Sequence, residues 1–179
     1  AATDPDSSNT FTYSLVGGTG STDNASFSIV GTSLLTAGSF NLEVKDNYSI
    51  RVRVTDQGAL TYEKVFTLTV TNANDAPSDI AISVAAVAEN AAVGTVVGTL
   101  STTDQDAGDT FTYALVTGTG STDNASFTIV GNELRTATSF NFEAKNGYSI
   151  RIRTTDASGL STEKSFAISV TNVNEGPSN

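Results

Sequence analysis

The side chains of this sequence best placed to do chemistry are its carboxylates, which come in pairs and short runs. Asp4 and Asp6 form a D-x-D, and Asp104 and Asp106 repeat it, followed by Asp109. Asp56 and Asp156 each close an apolar, alternating stretch. Asn41 with Glu43, and their copies Asn141 with Glu143, flank short apolar segments. Asn72, Asn74 and Asp75 share one polar stretch; Asn172, Asn174 and Glu175 share another; Glu89 and Asn90 interrupt an apolar run. Converging carboxylates repel one another unless a cation lies between them. An all-oxygen set of this kind suits a hard cation such as Ca2+, which takes 6–8 oxygen ligands from carboxylates, amides and backbone carbonyls. Taken singly, each Asp or Asn reads equally well as a turn former that bonds its own backbone. The recurrence of the whole set in two places favours the cation.

Composition removes most other chemistries. The chain has no Cys and no His, which excludes disulfides, Cys/His zinc sites and nucleophiles activated by imidazole. Its 19 acidic and 9 basic residues leave a net charge of −10, a surface that repels nucleic acid and anionic lipid. No apolar run reaches the roughly 20 residues of a membrane-spanning helix. Gly17-Gly18-Thr19-Gly20 has no Lys and no helix after it, so it is not a phosphate loop. Asn24-Ala25-Ser26 and its copy at Asn124 match a glycosylation sequon, a pattern common by chance. Paired carboxylates can hydrolyse glycosides, but here they fall at segment ends and not in an identifiable cleft. No enzyme is expected.

The elements that must position these groups follow from a repeat. Position n aligns with position n+100 without a gap, and 47 of 79 aligned residues are identical, which sets two modules of about 100 residues. The expected boundaries are 1–77 and 78–179, with Pro77 and Pro177 in polar linkers. The chain starts at the equivalent of Ser101, so the first module is expected to lack its first strand and most of its second, leaving an exposed sheet edge. Within each module apolar side chains alternate: Phe11, Tyr13 and Leu15; Tyr48, Ile50, Val52 and Val54; Phe66, Leu68 and Val70. A period of two marks half-buried strands, and Gly-rich or Asn-Gly turns separate them. Strands at this spacing predict an all-β sandwich.

Several motifs, in order, carry a family resemblance. They are V-A-E-N at Val87–Asn90, T-T-D-Q-D-A-G-D at Thr102–Asp109, F-N-F-E at Phe140–Glu143, Y-S-I-R-I-R-T-T-D at Tyr148–Asp156 and V-T-N-V-N-E-G-P at Val170–Pro177. The chain resembles bacterial cadherin-like repeats of large secreted or surface adhesin-type proteins. The resemblance implies tandem cadherin-like, Ig-like Greek-key sandwiches, rigidified by Ca2+ between successive modules. For the junction inside this chain it implies Asn41, Glu43, Asn72, Asn74, Asp75, Asp104, Asp106, Asp109 and Asp156 as ligands. Asp4, Asp6 and Asp56 would form one outer half-site. Glu89, Asn141, Glu143, Asn172, Asn174 and Glu175 would form the other. The first module has no counterpart of Glu89, so the junction is expected to be one carboxylate short. Asn41, Asn141, Asn72 and Asn172 stand where family members often carry Asp, which lowers the charge offered to the ion.

The resemblance further implies an extracellular or cell-surface location. The expected partners are neighbouring cadherin-like modules, with adhesion or a spacer role as the function. Self-association through the exposed strand edge and contact with another cell surface belong to the same reading; nucleic acid and membrane insertion do not. A second reading stays open: a polysaccharide-binding module, with Arg51, Arg53, Arg151 and Arg153 as a face for acidic sugars. The absence of Trp weighs against a stacking platform.

Overall fold

The computed structural model describes residues 2–3, 5 and 10–176. The chain divides into two compact units, Ala1–Ala73 and Asn74–Asn179. The division falls before Pro77 because residues 74 and 75 bond to side chains far down the second unit, and Pro77 itself is buried there.

Unit 1 holds β1 (Thr12–Leu15), β2 (Phe27–Val30), β3 (Ser33–Thr36), β4 (Asn47–Thr55) and β5 (Thr61–Thr69). β1, β4 and β5 form an antiparallel three-stranded sheet, and β2 with β3 forms a hairpin. Unit 2 holds β6 (Asp79–Ile82), β7 (Ala86–Ala88), β8 (Val96–Thr103), β9 (Thr112–Leu115), β10 (Phe127–Val130), β11 (Glu133–Thr136), β12 (Gly147–Thr155) and β13 (Ser161–Thr171). Its two four-stranded sheets have the orders β10-β11-β8-β6 and β7-β13-β12-β9.

The leading segment of unit 2 serves both sheets. β6 pairs antiparallel with β8, and β7 pairs parallel with β13, so the chain crosses between sheets over Ser83–Ala85. The crossing runs close under β8. A Cβ on Gly98 would lie 2.4 Å from the Val84 carbonyl oxygen, and only glycine fits an approach that tight. The core lies between the sheets and is built from Ile80, Val87, Val97, Leu100, Phe127, Leu134, Phe140, Ile150, Ile152, Ile168 and Val170. Along β12 the period of two decides the facing: Ile150, Ile152 and Thr154 are buried, while Arg151 and Arg153 point away and clasp Glu163 at 2.8 and 2.6 Å. Unit 1 repeats that ladder, with Arg51 and Arg53 on Glu63 at 2.7 and 2.6 Å. The four guanidinium groups offered above as a face for acidic sugars are paired with carboxylates of their own sheet.

Candidate metal centre

At one end of unit 2, β8 runs out into the loop that carries Asp104, Asp106 and Asp109. There β12 ends at Asp156, and the chain enters the unit through Asn74 and Asp75. The loop is shaped by its own acids: the Asp106 amide donates to Asp104 Oδ1 at 3.0 Å, an Asx turn of the kind D-x-D favours. Asp156 is held from both sides. Its Oδ1 accepts the amides of Ser158 and Leu160, each at 2.9 Å, and its Oδ2 accepts the Asn74 amide group at 2.9 Å. Asp106 Oδ2 accepts the Asp75 amide at 2.7 Å. Two residues of the entering segment are thus fastened to acids 82 and 31 positions away.

The result is a concentration of negative charge with little exposure to water. Asp106 and Asp156 are 7% and 6% exposed. Carboxylate oxygens of Asp104, Asp106 and Asp109 lie within 4.8 Å of one another. Asp104 Oδ2 and Asp109 Oδ2 are buried with no hydrogen-bond partner. Burial, together with the charges of Asp106, Asp104 and Asp156, pushes the Asp109 carboxyl above the ordinary 3.8. Asp156 goes the other way, held below the ordinary range by the bond from Asn74 and by its loop amides. Asp75, Asp104, Asp109 and Asp156 make no ion pair with Lys or Arg among the described residues. Asp23, Glu63, Asp79, Asp123, Glu133 and Glu163 each make one. Those six acids are neutralised by a cation of the chain; Asp104 and Asp109 have carboxylates as their charged neighbours.

A carboxylate oxygen buried without a donor is costly. Two of them beside further carboxylates are what a divalent cation would satisfy, so the residues present fit the Ca2+ implied by the resemblance. The cluster contains Asp104, Asp106 and Asp109, with Asp75, Asp156 and Asn74 bonded into the same end.

The remaining expected ligands are placed within their own units. In unit 1, Glu43 is exposed on a turn whose Asn41 Oδ1 accepts the Val44 amide at 3.0 Å, as a turn former does. Asn72 is exposed after β5. Asp56 accepts the Leu60 amide at 2.8 Å. Asp4 and Asp6 lie outside the described residues.

The opposite end of unit 2 gathers the second set. Glu89, 2% exposed, accepts the Phe142 and Val173 amides, both at 2.8 Å, and these bonds hold its carboxyl below the usual range. Glu143 accepts the Asn172 amide group at 2.9 Å, Glu175 that of Asn90 at 2.6 Å, and Asn141 Oδ1 the Ala144 amide at 2.7 Å. Asn174 is exposed. In this set each carboxylate accepts at least one hydrogen bond, whereas Asp104 Oδ2 and Asp109 Oδ2 accept none. Sequence reasoning did not anticipate the amides of Asp75, Phe142 and Val173 as partners, because a backbone donor carries no residue-type signal.

Residues 83–171 match the cadherin domain family. No curated protein sequence matches the chain. Among solved structures, human protocadherin-24 EC1-2 aligns with a TM-score of 0.69 at 19% identity, over 93% of this chain and 83% of that one. The protocadherin gammaB7 EC3-6 cis-dimer structure aligns at 0.61 with 27% identity, over 93% and 41%. Protocadherin gamma B2 extracellular cadherin domains 1-5 align at 0.60 with 19% identity, over 91% and 32%. The fold is the cadherin-like β-sandwich. The chain spans well under half the length of the two gamma protocadherins. No helix among the described residues is long and apolar enough to cross a membrane.

Proposed function

We propose that this chain is a calcium-holding, non-enzymatic repeat segment of a long extracellular protein, serving adhesion or acting as a spacer. The observation that carries the proposal is the pair of buried, donorless oxygens, Asp104 Oδ2 and Asp109 Oδ2, in a cluster without a Lys or Arg partner for either acid. Asp104, Asp106, Asp109 and Asp156 supply the carboxylates, with Asp75 and Asn74 fixed beside them. Bound Ca2+ would supply the positive charge that lets these acids ionise together. It would also tie residues 74 and 75 to the loop after β8 and the end of β12, which stiffens the entry to the unit. The extracellular setting is supported by the cadherin domain match and by structures of extracellular protocadherin domains. The bacterial surface or secreted setting rests on the motif resemblance. The repeat architecture supports neighbouring cadherin-like modules as partners.

The experiment is thermal melting of the metal-stripped chain with and without calcium, for the native sequence and for Asp104→Asn with Asp109→Asn. Native-state binding stabilises by RT ln(1 + [L]/Kd), about 2.7 kcal/mol at a hundredfold excess over Kd. For a unit of about 100 residues that is a rise on the order of 10 °C. The account expects this rise in the native chain and its loss in the double variant. An equal rise in both would place the ion elsewhere. Glu43→Gln, measured the same way, tests the ligand that the resemblance assigns to unit 1.

A further inference from the structure

Asn146-Gly147 is the one Asn-Gly pair of the sequence, and it stands exposed at the entry to β12. Asn-Gly ordinarily marks a turn that needs its glycine. This one does not need it. Gly147 has no positive φ, and a Cβ built on it meets nothing within 4 Å. Unit 1 makes the same entry, into β4, with Asp46-Asn47. What the pair keeps is chemical. No Cβ shields the Gly147 nitrogen from the side-chain amide before it, and asparagine is among the thermolabile residues.

The sheet leaves that nitrogen open. The Val170 amide donates to the Asn146 carbonyl at 2.9 Å, which makes Gly147↔Ser169 a pair without mutual hydrogen bonds. The Gly147 N–H therefore points away from β13. On its other side β9 pairs with β12 only over Ile152–Thr155, and the Asp123 carboxylate takes the Ser149 amide at 2.8 Å. Gly147 N–H has no acceptor among the described residues. The Asn146 side chain is free in the same sense. By contrast, the side chains of Asn74, Asn90, Asn124, Asn132, Asn141 and Asn172 each make a hydrogen bond.

We propose that Asn146-Gly147 is a self-modification site, which deamidates through a cyclic imide and whose isoaspartate product unfastens the start of the β12–β13 ladder. The Gly147 nitrogen gives up its proton and bonds to Asn146 Cγ. The bond from Cγ to the side-chain nitrogen breaks, and that nitrogen leaves with the proton as ammonia. Water then opens the imide at one of its two carbonyls. Opening at Cγ gives Asp with the main chain restored. Unit 1 shows that Asp is tolerated there: the Val70 amide donates to the Asp46 carbonyl at 2.8 Å. Opening at the main-chain carbonyl gives isoaspartate. The chain then runs through Cγ, one methylene longer, and the carbonyl that accepted from Val170 becomes a pendant carboxylate. β13 runs on to Asn172 and Val173, the donors to Glu143 and Glu89. The change therefore loosens the fastening of that acidic end.

The experiment incubates the full chain at mildly alkaline pH and physiological temperature. Peptide mapping by mass spectrometry then separates Asn, Asp and isoaspartate at each site, and hydrogen exchange follows the Val170 amide. Two variants take unit 1's own residues, Gly147→Asn and Asn146→Asp. In the native chain Asn146 should convert ahead of every other asparagine and give both products. That conversion should be lost in Gly147→Asn over the same incubation. The isoaspartate form should exchange Val170 faster than the native chain, and Asn146→Asp should not. Conversion of Asn146 no faster than that of Asn124 or Asn132, or equal conversion in Gly147→Asn, would overturn the site. Unchanged exchange of Val170 in the isoaspartate form would overturn its effect on the ladder.

Discussion

Two copies of one sequence pattern follow one another along this chain and end in different states of burial. The strand ladder Asn47↔Thr69 in unit 1 has the same register as Gly147↔Ser169 in unit 2. The ring clusters also match: Phe40 against Tyr48 at 4.6 Å, and Phe140 against Tyr148 at 4.7 Å. Yet Leu34 is 40% exposed where Leu134 is 0%, and among the described residues Ile50 is the one buried large apolar side chain of unit 1. Local pairing and turn chemistry are written into each copy. A core needs a second layer, and in unit 2 that layer is the segment from Asp79 to Thr103.

The sharpest way to break this comparison is to truncate equivalent core positions. Leu134→Ala should cost about 2–5 kcal/mol, the range for a fully buried leucine. Leu34→Ala should cost under about 1 kcal/mol, because its methyl groups are already half in water. Hydrogen exchange resolved by unit measures both; equal costs would mean that unit 1 has a covered core in solution.

Calcium should give the next largest difference. It is expected to protect amides at the acidic end of unit 2, those of Asp75, Asp106, Ser158 and Leu160, more than amides of the unit 1 sheet.

Acid should then sharpen the contrast. Asp109 has a raised carboxyl pKa, so without a cation it is ionised in the unfolded chain before the folded one. Its destabilising contribution is absent below 3.8 and grows as the pH rises through its folded value. A bound cation reverses that penalty, so the stabilisation by calcium should increase as the pH rises through the window above 3.8. Asp156 and Glu89, with lowered values, add stability that is present above 3.8 and 4.5 and lost as the pH falls through their folded values. Asn9 stands at the position of Asp109 in unit 1, so the Asp109 effect belongs to unit 2. Melting of metal-stripped and calcium-loaded chain across pH 3 to 7 measures it; a calcium increment flat with pH would contradict the role of Asp109.

The smallest expected effect is a control. Glu63→Gln and Glu163→Gln loosen the same exposed arginine ladder in both units and should each cost about 0–1 kcal/mol. Unequal costs would show that the two outer faces are not equivalent.

Much of the architecture is legible in the residues. The alternation at Tyr148, Ile150 and Ile152 predicts β12 and its inward face, and the D-x-D after β8 predicts the loop at Asp104. The division of the leading segment into β6 and β7 is not legible. No Pro or Gly interrupts Ser83–Ala85, and the parallel partner of β7 lies more than 80 residues away. Gly98 is the one local trace of the crossing. Within the acidic set, type and spacing single out Asp104, Asp106 and Asp156 as candidates, and the fold gathers them at one end of unit 2. Type and spacing do not show that Asn74 and Asp75 are anchored to unit 2, nor that Asp123 has a different task. Asp123 accepts from Lys145 and from the Ser149 amide, and so ties its loop to β12. Such pairings depend on how distant segments meet, which local pattern does not encode.

The most direct test of the central claim is a calorimetric calcium titration of the native chain, of Asp104→Asn with Asp109→Asn, and of Glu89→Gln at the opposite end of unit 2. The account predicts saturable binding, with a dissociation constant on the order of 10⁻⁴ to 10⁻³ M as in extracellular modules. It predicts that the double variant weakens that binding tenfold or more and that Glu89→Gln leaves it intact. Equal heats in the native chain and the double variant, or no calcium binding by the native chain, would contradict it.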